Sequence, residues 1–433
     1  MKVFRLGALA ASAAIVLAAC GGGASPAPSA APSPEPGASA APSVAEGPPT
    51  DPLGVVTIPP GEPIHIAFWA VLSGADATLG QDSQYGVQVA IDDKGGKLLD
   101  RDIQLTTEDG LCTPEGGATA AQKLAADKTI VGLIGPNCSD EVVGGIKALT
   151  DAGMTTISMS ATRPALTAPD RGPEYAGFLR TAHSDAFQGK TAAEFVFNEL
   201  KLKSAATIHD GSAYAQALQG VFADNFKTLG GTITDQEAVA KTDTDMTPVL
   251  TKIAATNPDI IYYPIFIAAG GFITAQARQV PGLETTVLMG ADGMFSPDFV
   301  KAAGPAALNM YLSSPDFSSF GPEYQTFKDK YKALSGGDPL SIFHAHAYDA
   351  TNILLAAIEK VAVTASDGTL YIGRKALRDA IYASQGWRGI TGTLTCGQYG
   401  DCGAPVIAVY QITAREVGPP VVWPPEKPIY PQR

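Results

Sequence analysis

The stretch from residue 130 to 167, IVGLIGPNCSDEVVGGIKALTDAGMTTISMSATRPALT, constrains the fold most. Two apolar runs, 130–134 and 155–158, flank about a dozen residues of helical pattern that begin at Ser139. Strands joined through a helix must be parallel neighbours, so the stretch predicts a βαβ unit in an open α/β sheet. Small polar residues follow each strand: Asn137, Cys138 and Ser139 after the first, then Ser160, Ala161 and Thr162 after the second. This is the carboxyl edge, where such sheets hold ligands. Hydroxyls beside a helix start suit an anion such as a carboxylate. Taken alone, the same residues also read as an ordinary N-cap at Ser139 and a turn at Ser160.

The alternation continues on both sides. Strands are expected at 64–72, 103–107, 130–134 and 155–158, with helices at 84–93, 116–126 and 140–152, which makes a doubly wound α/β lobe. After a link at 180–185, strands at 205–208, 232–239, 260–263 and 286–288 alternate with helices at 190–200, 213–229, 246–256 and 270–280. A second lobe of the same kind follows. The chain returns through 309–313, helices near 322–333, 346–361 and 374–383, and extended runs at 391–395 and 406–411. Its 433 residues, 45% hydrophobic and 17% charged, suffice for two packed lobes. A net charge of −13 opposes a nucleic-acid partner, which needs clustered Lys and Arg.

The first 20 residues combine Lys2 and Arg5 with an apolar run at 6–17 and the ending Leu17-Ala18-Ala19-Cys20. Residues 1–19 are thus expected to be a secretory signal, too short to span a bilayer as a mature helix. Ending on a cysteine, it resembles a bacterial lipoprotein signal, which implies lipid on Cys20 and an extracytoplasmic protein anchored to the cell membrane. Residues 20–61, rich in Pro, Ala, Ser and Gly, read as a disordered tether. Cys112, Cys138, Cys396 and Cys402 remain, and pairing is expected outside the cytoplasm. Three connectivities are open. A local staple of Cys396 to Cys402 across a turn-rich loop would leave Cys112 with Cys138. A zinc site is disfavoured because no C-x-x-C pair exists.

Enzyme signatures are missing: no G-x-S-x-G, no H-E-x-x-H and no G-x-G-x-x-G after a strand. The stretch 184–191, SDAFQGKT, ends like a phosphate-binding loop but lacks its first glycine and a preceding strand, so it reads as a helix start. His344 and His346 share a face only in an extended segment. The pattern after them is helical, so partly exposed histidines at a helix onset are expected. No catalytic residue, cofactor or metal is expected. What remains is a set of residues just past predicted strands: Ser139, Ser160, Thr162, the run from His209-Asp210 to Tyr214, Phe266 and Asp292. Hydroxyls on one side, with an acid and aromatics on the other, describe a cleft for a small zwitterion that closes by hinge motion.

Nine short motifs sharpen this reading: LSG at 72–74, DDKGG at 92–96, EDGLC at 108–112, IGPNCS at 134–139, SMSATRPALT at 158–167, RT at 180–181, QGKTAA at 188–193, IHDGSAYAQAL at 208–218 and MGADG at 289–293. In this order they resemble the branched-chain amino-acid binding proteins of ABC transporters over roughly residues 62–413. The resemblance implies the type I periplasmic-binding-protein fold: two Rossmann-like lobes with a hinge, three crossovers and an interlobe cleft. Lobe 1 would take 62–182 plus 315–386, lobe 2 would take 183–314 plus 387–417, and 418–433 would be a Pro-rich tail. It further implies that Ser139 and Thr162 hold a ligand carboxylate. Thr162, the Ser160 carbonyl and Asp292 would hold the ammonium, and Tyr214 would cover the ligand. The family disulfide corresponds to Cys112 with Cys138, and the partner would be an ABC permease. Leu79 stands where family members often place Trp or Tyr, Phe266 stands where they place a second aromatic, and Asp292 replaces the usual Glu. The implied ligand is an aliphatic or branched-chain amino acid. A lipid-anchored sensor, or a binder of another carboxylate or an amide, would share these features.

Overall fold

The protein is described from a computed structural model that covers residues 44–45, 47–425 and 427–431. The expected signal, Cys20 and the tether as far as residue 43 lie outside the described residues. Among the described residues no helix is long and apolar enough to cross a membrane.

The fold is a two-lobed α/β architecture. The first lobe is built on a six-stranded sheet in the order Lys97–Leu98, Arg101–Asp109, Ile64–Ala70, Leu133–Ile134, Thr156–Ser158, Phe178–Arg180. Every pairing is parallel except the Lys97–Leu98 edge. Ile64–Ala70 is buried along its whole length, which is why it reads as an unbroken apolar run. Helices Ala77–Asp93, Pro114–Ala126 and Ser139–Asp151 connect these strands. The last two touch closely, since a Cβ on Gly144 would lie 1.9 Å from the Pro114 carbonyl oxygen.

The second sheet has the matching order Thr232–Ala238, Ser204–His209, Ile260–Tyr262, Val287–Gly290, Tyr311–Pro315, Ile407–Gln411. Its first five strands are parallel, and Ile407–Gln411 returns antiparallel. In both lobes the first strand in sequence has a neighbour on each side. That is the switch point beside which open α/β sheets leave a crevice.

Several expectations are corrected. Val55–Ile58, placed in the tether, is a strand antiparallel to Leu370–Gly373 in a small sheet, with Val56 and Ile58 buried. The hairpin Trp387–Gly389 and Gly392–Leu394, assigned to lobe 2, is bound to lobe 1. The buried Asp349 carboxylate accepts from the N–H groups of Ile390 and Thr391 at 3.0 Å each, and the Cys402 N–H donates to the Arg180 carbonyl at 2.9 Å. The last crossing therefore follows Cys402. In the proline-rich tail, the Ile429 N–H donates to the Val409 carbonyl, and the Val409 N–H donates to the Tyr430 carbonyl, both at 2.8 Å. The tail thus covers the free edge of Ile407–Gln411. Both disulfides, Cys112–Cys138 and Cys396–Cys402, are formed.

His344 and His346 begin helix His344–Val361 but are buried, not partly exposed. Two residues apart on a helix, they face different ways. His344 Nδ1 lies 2.9 Å from the buried Asp82 carboxylate, whereas burial, with His183 and His344 nearby, pushes His346 down to about 3.

Candidate ligand-binding site

The cavity is a narrow one between the carboxyl edges of the two sheets. On the first-lobe side it is lined by Leu79, Asn137, Cys138, Ser139, Ser160 and Phe343, and on the second-lobe side by Tyr214, Phe266, Asp292 and Gly293.

The first-lobe wall is built by one helix start and one turn. Cys138, not Ser139, is the N-cap of helix Ser139–Asp151. The carboxylate of buried Glu141 accepts from the N–H groups of Cys138 at 2.8 Å and Cys112 at 3.2 Å, so one acid pins both halves of the disulfide. Burial pushes that acid up to about 7. Relieved of capping, the Ser139 hydroxyl accepts from the Arg163 N–H at 3.2 Å. Ser158 Oγ donates to the Pro136 carbonyl at 2.7 Å and accepts from the N–H groups of Ser160 and Ala161 at 3.2 and 2.9 Å, which fixes the turn carrying Ser160.

The second-lobe wall carries the acid and the rings. Val287–Gly290 runs into a short turn at Asp292–Met294, and Asp292 is buried there. Its Oδ1 accepts from the Tyr214 hydroxyl at 2.5 Å and from Gln188 Nε2 at 2.8 Å. Tyr214 opens helix Ala213–Thr228, and Phe266 caps helix Ile267–Ala277; their ring centroids are 5.3 Å apart. Gly293 lets the turn sit against them, because a Cβ there would come within 2.7 Å of the Ile265 carbonyl oxygen and 3.1 Å of the Tyr214 ring.

Of the residues expected at the site, Leu79, Ser139, Ser160, Tyr214, Phe266 and Asp292 line one cavity. Thr162 does not. Its buried hydroxyl lies against Asp185, a residue sequence reasoning passed over. Asp185 is fully buried at the start of helix Asp185–Glu194, with the Thr162 hydroxyl set against its carboxyl. Burial first, and then Asp292, drive it well above the ordinary carboxylate range, while Thr162 and Arg180 pull the other way. Arg180 offers little relief, being committed to Asp401 at 2.5 Å, to the carbonyls of Ala161 and Arg163, and to the Thr167 hydroxyl. In the sequence Asp185 looks like any acid in a first helical turn. Its one signal was an Asp directly after the crossover and before a strand-end set already short of cations.

Two buried acids without a matching cation are costly, and a ligand that brings an ammonium removes that cost. The opposite wall, with hydroxyls and a helix N-terminus, accepts negative charge. Leu79, Phe266 and Phe343 give the space between an apolar lining.

Comparison with known proteins agrees with this architecture. The chain is 26% identical over 353 residues to Leu/Ile/Val-binding protein homolog 3 of Brucella melitensis, covering 80% of this chain and 91% of that protein. A leucine-binding protein of Thermotoga maritima superposes with a TM-score of 0.72 at 22% identity, over 81% of this chain and 95% of the other. The substrate-binding protein of a branched-chain amino-acid transporter from Streptococcus pneumoniae, in complex with isoleucine, does so at 0.70 and 24% identity, over 81% and 96%. Residues 63–414 match the family model described as periplasmic binding protein, so the chain belongs to the periplasmic binding protein family.

Proposed function

We propose that the protein captures an aliphatic or branched-chain α-amino acid between its lobes and delivers it to an ABC permease, from a lipid anchor on Cys20 outside the cytoplasm. The observation that carries the ligand class is the polarity of one enclosed cavity. The Asp292 carboxylate lies on one wall with buried Asp185 behind it, Ser139 at a helix start and Ser160 in a turn lie on the other, and apolar side chains line the space. Asp292 with Asp185 takes the ammonium, and the hydroxyls of Ser139 and Ser160 with neighbouring N–H groups take the carboxylate. Thr162 acts from behind, by orienting Asp185. Tyr214 and Phe266 cover the side chain. The names of the relatives support the same class. The role is binding and release, without a catalytic residue.

The test is to purify the wild type and Cys20→Ser from cell fractions, denature both, and identify released small molecules by mass spectrometry. Leucine, isoleucine or valine is expected from either protein, with the variant shifted to the soluble fraction. A trapped ligand without an amine would overturn the amino-acid assignment, and a variant still membrane-bound after a high-salt wash would overturn the anchor.

A further inference from the structure

Four of the bonds that cross from lobe to lobe meet at the aromatic cover of the cavity. Asp140, next to Ser139 in the first lobe, accepts through Oδ1 from the N–H of Ala213 at 2.8 Å, one residue before Tyr214. Its other oxygen lies 3.1 Å from Lys241 Nζ of the second lobe. Lys241 also donates to the Cys112 carbonyl at 2.8 Å, and its ammonium lies 5.0 Å from the centre of the Phe266 ring. Farther along the mouth, Asp76 of the first lobe accepts through Oδ1 from the N–H of Ile267 at 3.2 Å, one residue after Phe266.

Each first-lobe carboxylate thus sits on the N-terminus of a second-lobe helix, where negative charge is favoured. Those two helix starts carry Tyr214 and Phe266. Lys241 ties one carboxylate, one ring and the disulfide loop together. Separating the lobes breaks the Asp140–Ala213, Asp140–Lys241, Lys241–Cys112 and Asp76–Ile267 contacts at once, leaving Lys241 only its place by the Phe266 ring.

We infer that Asp140, Lys241 and Asp76 are positioning residues for the ligand, a clasp that holds Tyr214 and Phe266 over the cavity only while the lobes are shut. This rests on reading the cleft as the ligand site. None of the three touches the cavity, so their effect falls on escape and not on recognition.

The experiment compares wild type with Lys241→Met, Asp140→Asn and the double variant, using leucine as the probe in stopped-flow kinetics. Each single variant is expected to raise the dissociation rate about tenfold while association stays within about twofold, since loss of a partly buried charged contact formed on closure acts mainly on the off-rate. The double variant should be no worse than the worse single one, and Lys241→Arg should restore most of the slow release. Thermal midpoints of the ligand-free variants should match wild type, whereas a merely structural pair would lower them. Unchanged release in both single variants overturns the clasp, as does an equal loss of midpoint with and without leucine. If wild type does not bind leucine, the amino-acid reading fails, and the same dissociation kinetics, run with the small molecule that mass spectrometry finds released on denaturation, decide the clasp: faster release from Lys241→Met supports it, and equal release overturns it.

Discussion

Ser158 in the first lobe and Asp292 in the second both stand where a parallel strand ends at the cleft, yet their surroundings differ. Ser158 Oγ is fully used, donating once and accepting twice, and it fixes the turn carrying Ser160. Asp292 accepts twice, both times on Oδ1, and the Asp185 carboxyl lies near it. On the first-lobe side the protein's own hydrogen bonds fix the turn, whereas the second-lobe side sets two buried acids close to one another. From this contrast we expect the second-lobe wall to decide whether a ligand binds, and the first-lobe wall to tune how it lies.

The sharpest way to break the contrast is Asp292→Ala. Affinity for an α-amino acid should fall by about 2–5 kcal/mol, while an analogue with the carboxylate but no amine is hardly affected. Calorimetry on both ligands checks this, and equal losses would mean that the acid serves the shape of the pocket and not its charge.

Asp185→Asn should have a smaller effect on binding, about 1.5–3 kcal/mol, the worth of a hydrogen bond to a charged group. Its effect on the empty protein has the opposite sign. Because the folded carboxyl titrates well above its ordinary value of 3.8, the folded chain holds an extra proton, and stability is lost as the pH rises from near that value towards the raised one. The neutral amide escapes this penalty, so the ligand-free variant should gain about 0.5–2 kcal/mol at neutral pH, seen as a higher melting temperature. In wild type, affinity should also fall as the pH is lowered through the raised titration, a dependence the variant should lose.

Ser139→Ala sharpens the comparison from the other wall. Loss of one neutral hydroxyl should cost about 0.5–1.5 kcal/mol in affinity with little change in stability. A loss as large as that of Asp292→Ala, measured under the same conditions, would erase the distinction between the walls.

Much of this arrangement was legible in the sequence because buried parallel strands read as apolar runs and ligand residues follow them at short distances. Ser139, Ser160, Tyr214, Phe266 and Asp292, expected on that ground, line one cavity. Asp185 was not, because its helix-start position is ordinary and only tertiary burial makes it unusual. Thr162 was expected in the lining as a strand-end hydroxyl and from the resemblance, whereas its hydroxyl is set against Asp185 and is not part of the lining. The short strand Val55–Ile58 was hidden by flanking proline and glycine, and it forms only because Leu370–Gly373 offers it an edge. The Asp140–Lys241 contact spans 101 positions, far beyond any local pattern.

The proline-rich tail has an optical consequence. It seats Trp423 against Phe295, ring centres 4.8 Å apart, and the Phe295 carbonyl accepts a hydrogen bond from Ser341 of the first lobe at 3.2 Å. Of the three tryptophans, Trp69 is sealed in the first-lobe core and Trp387 rides on a hairpin of that same lobe. Trp423 alone stands one residue from a bond that joins the lobes. Its emission is therefore expected to change when that junction opens, which a fluorescence titration of the unlabelled chain would register.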